Sequence, residues 1–160
     1  MRQVITSLLV VGSVTAPALA FQARGAAAAG TPRIGACSLL TKELITKFET
    51  VHKKLVLPTP SEEPLGQNGS ACDYGDFHFQ LDPFARQAEL RKNPGKDWKP
   101  VSGVGDTAWF HNNGDNYAEL MVWTGSHHFT IQADVPLGGT ADAVKPNAIG
   151  LANAIAAKLK

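Results

Sequence analysis

The chain has 160 residues, of which 44% are hydrophobic and 18% are charged, and its formal net charge is +1. This length suits one domain with a short additional segment, and the composition excludes a wholly disordered chain. A charge this close to zero argues against a nucleic-acid partner and against binding to an anionic membrane surface.

The N-terminal segment has the features of an export signal. Arg2 precedes an apolar stretch over residues 4–14, and Ala18-Leu19-Ala20 has the small-x-small pattern that a signal peptidase accepts. The stretch is too short to span a bilayer comfortably, and no second candidate follows, so we expect no transmembrane segment in the mature chain. We predict a signal peptide over residues 1–20, a flexible tether over residues 21–35 and one domain over residues 36–160, in a periplasmic or secreted protein.

The segment IGAC, ending at Cys37, loosely resembles a bacterial lipoprotein box, in which a cysteine is acylated. That box should follow the apolar stretch directly, whereas a polar, alanine-rich spacer intervenes here, so we favour an unlipidated chain. Cys37 and Cys72 are the two cysteines, and a lone pair in an oxidising compartment usually forms a disulfide. Redox catalysis favours closer spacing, so the sequence predicts a structural bond.

The first predicted element of the domain is a helix. Thr41 can cap it, and Leu44, Ile45 and Phe48 recur at helical spacing. The next stretch, LPTPSEEPLGQNGS, contains three prolines and two glycines and predicts a loop. The stretch CDYGDFHFQLD then predicts one strand, because apolar and polar residues alternate, and Asp82-Pro83 is a good helix start for a short second helix.

Three strands and a helix complete the predicted domain. Alternation places the strands at about residues 107–111, 117–123 and 127–135, and apolar spacing predicts a terminal helix after Pro146. The connections between the three strands are short, which makes them antiparallel. We therefore predict an α+β domain, with an antiparallel sheet of about four strands, helices on one face and one disulfide.

Three short motifs resemble those of a known group of proteins. ACSLLTKEL, CDYG and VSGVGDTAW, followed by a hairpin and an alanine-rich helix, are similar to motifs of small exported bacterial proteins and lipoproteins. The match covers most of residues 36–160 and depends on the order of the motifs. The resemblance implies a fold type, an exported location and a bond between Cys37 and Cys72, but no activity. The lipoprotein members carry a cysteine straight after the signal, which this chain lacks.

The glycine-rich run VSGVGDTAWF allows two interpretations. A phosphate-binding loop needs a helix after it, whereas a strand pattern follows here, and there is no lysine at the P-loop position. The alternative is a bend in which Gly103 and Gly105 adopt angles denied to other residues and Asp106 accepts backbone hydrogen bonds. We favour the bend.

The non-helical sheet face is the surface that we predict to bind a ligand. Alternation puts aromatic, sulfur-containing and polar side chains together there, a mixture that suits recognition. The predicted ligand-binding residues are Tyr117, Glu119, Met121, Trp123, His78 and His128. The alternative is that Trp123, and Trp109 with it, covers a minor core, because large aromatic side chains are more often buried.

No catalytic motif is present, so the leading hypothesis is a non-enzymatic exported domain that binds a protein or a small molecule, with no cofactor. Two alternatives stay open. One is an enzyme, such as a hydrolase, whose active site leaves no local signature. The other is a weak metal-binding protein, with His78, His128 and Glu119 as a conceivable zinc site, although they lack a recognised ligand spacing.

Overall fold

The computed structural model describes residues 34–51, 57–66, 69–82, 88–114 and 116–160. They belong to one compact unit. The predicted signal peptide and most of the predicted tether lie outside the described residues. Four helices are described: α1 (Ala36–Leu39), α2 (Lys42–Phe48), α3 (Ala88–Lys92) and α4 (Ala141–Lys158).

Seven strands form a single sheet in which every neighbouring pair is antiparallel. Their order across the sheet is β1-β2-β3-β7-β6-β5-β4. The strands are β1 (Ser61–Leu65), β2 (Gly69–Tyr74), β3 (Phe77–Asp82), β4 (Trp98–Val101), β5 (Thr107–Asn112), β6 (Tyr117–Thr124) and β7 (His127–Asp134). The α+β class is confirmed, but the predicted sheet of about four strands is wrong.

The additional strands lie where the sequence carries no alternating pattern. β1 and β4 are the two edges, and each contains a proline, Pro64 and Pro100 respectively. An edge strand has one unpaired side, so it tolerates a residue without an N–H group. β2 and β3 form a hairpin across Gly75-Asp76, and Gly75 has φ of +65°. A two-residue turn of this kind divides what alternation alone predicts as one strand.

The sheet is covered on one side by α4, with α2 packed against α4 and α1 packed against β2 and β3. We call this side the helix face. The exposed Glu62 and Lys99 of the edge strands lie on this side, whereas β3, β5, β6 and β7 place buried apolar residues there. These buried residues are Phe77, Phe79, Leu81, Ala108, Phe110, Ala118, Leu120, Val122, Phe129, Ile131 and Ala133. The opposite side, on which the intervening residues lie, is called the open face.

Helix α4 begins earlier than its proline indicates. The sequence places the helix start after Pro146, whereas the structure begins it at Ala141, with Thr140 as N-cap. Proline removes one intrahelical hydrogen bond, but the preceding turn packs against the core, with Ala141 and Val144 fully buried. Tertiary packing therefore overrides the local cost of the proline.

Helix α3 contradicts the prediction that all helices lie on one face. The Trp109 indole Nε1 donates a hydrogen bond to the Arg91 carbonyl at 3.1 Å, and Arg91 Nε donates to Thr107 Oγ1 at 3.4 Å. The side chains of Trp109 and Thr107, both on β5, lie on the open face, so α3 lies on that side of the sheet. Asp82 ends β3, and the helix start predicted at Asp82-Pro83 falls on residues 83–87, which lie outside the described residues.

The N-terminal end of the domain is held to the sheet by two linkages. The predicted disulfide between Cys37 and Cys72 is confirmed and joins α1 to β2. Beside it, the buried Ser70 hydroxyl accepts a hydrogen bond from the Ala36 amide at 2.8 Å and donates to the Ile34 carbonyl at 3.3 Å. Closing a loop of 35 residues stabilises the fold by roughly 4 kcal/mol in the chain-entropy model.

Candidate functional site

A row of polar and aromatic side chains crosses the open face. Register pairing places one residue from each of six strands opposite the next, so all six share one face. This central row consists of Asp73, His78, Gln132, Glu119, His111 and Trp98. With strands about 4.8 Å apart, the row is roughly 24 Å long. All its members are partly or fully exposed.

Glu119 lies at the middle of the central row. Its side chain is 26% exposed, and burial raises the pKa of its carboxyl group, against the opposing influence of His111 and His78. The nearest ionisable side chain is that of His111, whose Nδ1 lies 4.0 Å from Glu119 Oε2. That distance is too long for a hydrogen bond. Glu119 is thus a carboxylate that has lost part of its water without gaining a close cation.

His78 is held in a fixed orientation by two neighbours. Its Nδ1 bonds to the Asp73 carboxylate, and its Nε2 lies 2.7 Å from the Gln80 amide nitrogen. If Nδ1 donates to the carboxylate, Nε2 is left to accept from the amide, so one tautomer satisfies both contacts. The imidazole is 31% exposed and therefore presents one edge to solvent.

His111 and Trp98 form a stacked pair at the other end of the central row. Their ring centroids are 5.1 Å apart and their planes differ by 26°. Trp109, one row away, is fixed by its bond to the Arg91 carbonyl. The indoles are consequently oriented before any ligand arrives, which lowers the entropy lost on binding.

The open face is buried four residues along β6 and β7 from the central row. Trp123 and His128 are each 1% exposed, and their rings lie 4.5 Å apart between centroids. His128 Nδ1 lies 3.3 Å from Asp82 Oδ2, yet within the described residues neither ring nitrogen makes a hydrogen bond. Met121 is also buried. Trp123, His128 and Met121 are thus three buried side chains on the open face.

All six predicted ligand-binding residues lie on the open face, but they fall into two groups. Tyr117, Glu119 and His78 are partly exposed, whereas Met121, Trp123 and His128 are buried. The alternation that predicts the shared face contains no information on what covers one end of it. Beyond the predicted set, the central row contains Gln132 and His111, and it also contains Asp73 and Trp98. A hairpin signal at Gly75-Asp76 points to Asp73, and no local signal points to Trp98.

The alternative zinc site is not assembled. His78 and Glu119 both lie opposite Gln132, but His128 is four residues from Gln132 along β7, which is roughly 13 Å. Within the described residues, no three histidine, cysteine, aspartate or glutamate side chains are placed to hold a metal ion.

The glycine-rich run forms the predicted bend. Asp106 Oδ2 accepts a hydrogen bond from the Gly125 amide at 2.8 Å, and the Asp106 amide donates to the Trp123 carbonyl at 2.7 Å. The turn that Asp106 stabilises is therefore the β6–β7 turn rather than its own. Gly105 has φ of +54°, and a Cβ there would lie 2.5 Å from the Trp123 carbonyl oxygen. These contacts hold the glycine-rich run against the end of β6. The element that follows the glycines is the strand β5 and not a helix.

Comparison with known proteins found no matching family model, curated protein or solved structure. The resemblance to small exported bacterial proteins therefore stays a prediction from three motifs. The structure itself defines an antiparallel α+β domain with a disulfide and a partly exposed polar and aromatic sheet face. In the part of the chain that the structure describes, no helix has the length and apolar character needed to cross a membrane.

Proposed function

We propose that this chain is a non-enzymatic binding domain, which recognises a protein or a small molecule through the open face of its sheet. The central row and Tyr117 supply the contacts. The observation that carries this proposal is the row itself, because it joins carboxylate, imidazole, amide and indole groups from six strands on one partly exposed surface.

The orientation of these groups supports the proposal. Asp73 and Gln80 fix the His78 ring, and stacking fixes Trp98 against His111. Rigid aromatic side chains and pre-oriented polar groups bind at a lower entropic cost than mobile ones do. Tryptophan and tyrosine are also the residue types that contribute most often to binding energy.

The buried end of the face has a supporting role in this proposal. Trp123, His128 and Met121 are too buried to touch a ligand in this conformation, so they hold β6 and β7 in place beneath the exposed row. We therefore replace the predicted contact set by the central row together with Tyr117.

We further propose that the protein is exported. A disulfide is stable in the periplasm or outside the cell and is rare in the cytosol. This location would expose the open face to extracytoplasmic proteins and solutes.

The test uses the purified, oxidised full chain incubated with the exported fraction of its source organism, followed by oxidative footprinting of aromatic side chains. We expect a bound molecule to protect Trp98 and Tyr117 from oxidation. The double variant Trp98→Ala/Tyr117→Ala should lose the bound molecule, whereas the helix-layer variant Lys42→Ala/Lys47→Ala should keep it. Equal binding by the two variants, or substrate turnover that disappears in Glu119→Gln, would contradict a non-enzymatic open-face domain.

A further inference from the structure

The strand residues of the open face carry charge of one sign, although Arg91 of α3 also reaches this face at Thr107. Register pairing places five carboxylates on it, whereas the seven described strands place no lysine or arginine there. Lys99 is the single lysine within these strands, and it lies opposite Phe110 on the helix face. The five carboxylates are Glu63, Asp73, Asp82, Glu119 and Asp134.

The helices behind the sheet carry the balancing charge. Lys42, Lys47, Lys145 and Lys158 all belong to α2 and α4. Against these four lysines, α2 and α4 carry the two carboxylates Glu43 and Asp142, so the described helices on this side have an excess of positive charge. A surface with a local excess of carboxylates attracts cationic groups and repels anionic ones, irrespective of net charge.

The exposed carboxylates differ in their local partners. Asp73 is bonded to His78 through one oxygen, while Glu119 has no closer ionisable partner than His111 at 4.0 Å. The partial burial of Glu119 penalises its charged form, as its raised pKa shows. A cation brought to this carboxylate would offset that penalty, because an opposite charge favours the ionised form.

The shape of the face favours an extended occupant. The central row is roughly 24 Å long, whereas small molecules usually bind in compact concave sites. Glu119 and Asp73 are three strand spacings apart, or roughly 14 Å. An extended chain rises about 3.4 Å per residue and turns every second side chain to the same side. Basic residues four positions apart on an extended segment would therefore reach both carboxylates.

We propose that the open face docks an extended basic segment of a partner protein, with one lysine or arginine on Glu119 and another, four residues away, on Asp73. Trp98 lies on the same row two strands beyond Glu119, and Tyr117 lies two residues from Glu119 on β6, so both can offer ring faces to the aliphatic and cationic parts of such side chains. This inference rests on the proposed function and adds the chemical class of the partner.

The test measures binding of three blocked eight-residue peptides to the full chain by calorimetry and by backbone amide chemical shifts at low salt. Each peptide has a glycine-serine background with two lysines, two glutamines or two glutamates four positions apart. We expect the lysine peptide to bind and to shift amides of β2, β3, β6 and β7. Glu119→Gln should weaken that binding about tenfold, because a charge-assisted hydrogen bond is lost.

The matched control is Glu43→Gln on α2, which removes the same charge from the opposite side of the sheet and should leave peptide binding unchanged. Binding of spermidine, a small polyamine, is measured under the same conditions to test whether any small cation suffices. If spermidine binds as tightly as the lysine peptide, the partner is a small polyamine and the inference is overturned. Equal binding of the glutamine or glutamate peptide, binding that maps to the helices, or no binding of any peptide also overturns it. None of these outcomes alters the footprinting result, which tests the open face without assuming the charge of its ligand.

Discussion

The two faces of the sheet are built from alternate residues of the same strands, yet they differ in every chemical respect. In β3, phenylalanine and leucine side chains lie on the helix face, while histidine, glutamine and aspartate lie on the open face. In the described strands, the helix face carries carboxylate, lysine or arginine side chains only at its edges, Glu62 on β1 and Lys99 on β4, whereas the open face is partly exposed and its strands carry five carboxylates. Core and candidate binding surface are thus one residue apart along each strand, so neighbouring substitutions can separate stability from binding.

The open face is itself divided, and its buried end resembles the helix face in its burial. Trp123 and His128 pack ring against ring and are almost inaccessible, whereas Tyr117, on the same strand and face as Trp123, is partly exposed. The free energy that a side chain contributes should therefore follow its burial rather than the face on which it lies.

The largest expected effect is that of Trp123→Ala. Removing this buried indole leaves a cavity beside His128, and we expect a loss of about 3–5 kcal/mol in the free energy of unfolding. Tyr117→Ala, on the same strand and face, should cost below about 1 kcal/mol. Urea denaturation of the two variants measures both values. Equal costs would show that the two ends of the open face are not energetically distinct.

A neighbouring pair on β7 tests the difference between the faces directly. Ile131 is fully buried on the helix face, and Thr130 is partly exposed on the open face. Ile131→Ala should destabilise the protein by about 2–5 kcal/mol. Thr130→Ala should change stability by about 0.5 kcal/mol or less. A Thr130 variant as unstable as the Ile131 variant would mean that the open face is a second core and not a surface.

The strands with two-residue alternation were predictable from the sequence. The positions of β5, β6 and β7 follow from alternating apolar residues, and the same pattern correctly assigns the shared face of Tyr117 and Glu119. A strand alternates when helices cover one of its faces, because only the side chains on that face must be apolar. Alternation therefore predicts which residues of a strand face the helices, but it does not predict what covers the opposite face.

The edges of the sheet were not predictable in this way. β1 and β4 are short, contain Pro64 and Pro100, and are stabilised by pairing with a neighbour rather than by their own residue pattern. Because β4 was missed, and β2 and β3 were predicted as one strand, Trp98 and Asp73 were missing from the predicted site. The burial of Trp123 also depends on chain segments far away in sequence, which no local pattern reports.

The smallest expected effect on stability is that of Glu119, and the direction of its pH dependence follows from its raised pKa. Its pKa in the folded protein is raised above the ordinary value of 4.5 by burial, despite the opposing influence of His111 and His78. Between the ordinary and the raised pKa the folded state holds more protons than the unfolded state does, so stability falls as pH rises through that window. Above the window the ionised carboxylate destabilises the fold.

Glu119→Gln should therefore raise the Tm slightly at neutral pH and leave it unchanged below pH 4.5, where the carboxyl group is protonated in both states. Glu43→Gln provides a control of opposite sign. Hydrogen bonds from its own backbone amide and from Thr41 lower the pKa of Glu43, so its removal should reduce stability at neutral pH. Thermal unfolding at several pH values measures both signs. A Glu119→Gln variant that gains stability while losing the lysine peptide would show that this carboxylate serves binding at the expense of the fold, whereas a loss of stability would assign it a structural role.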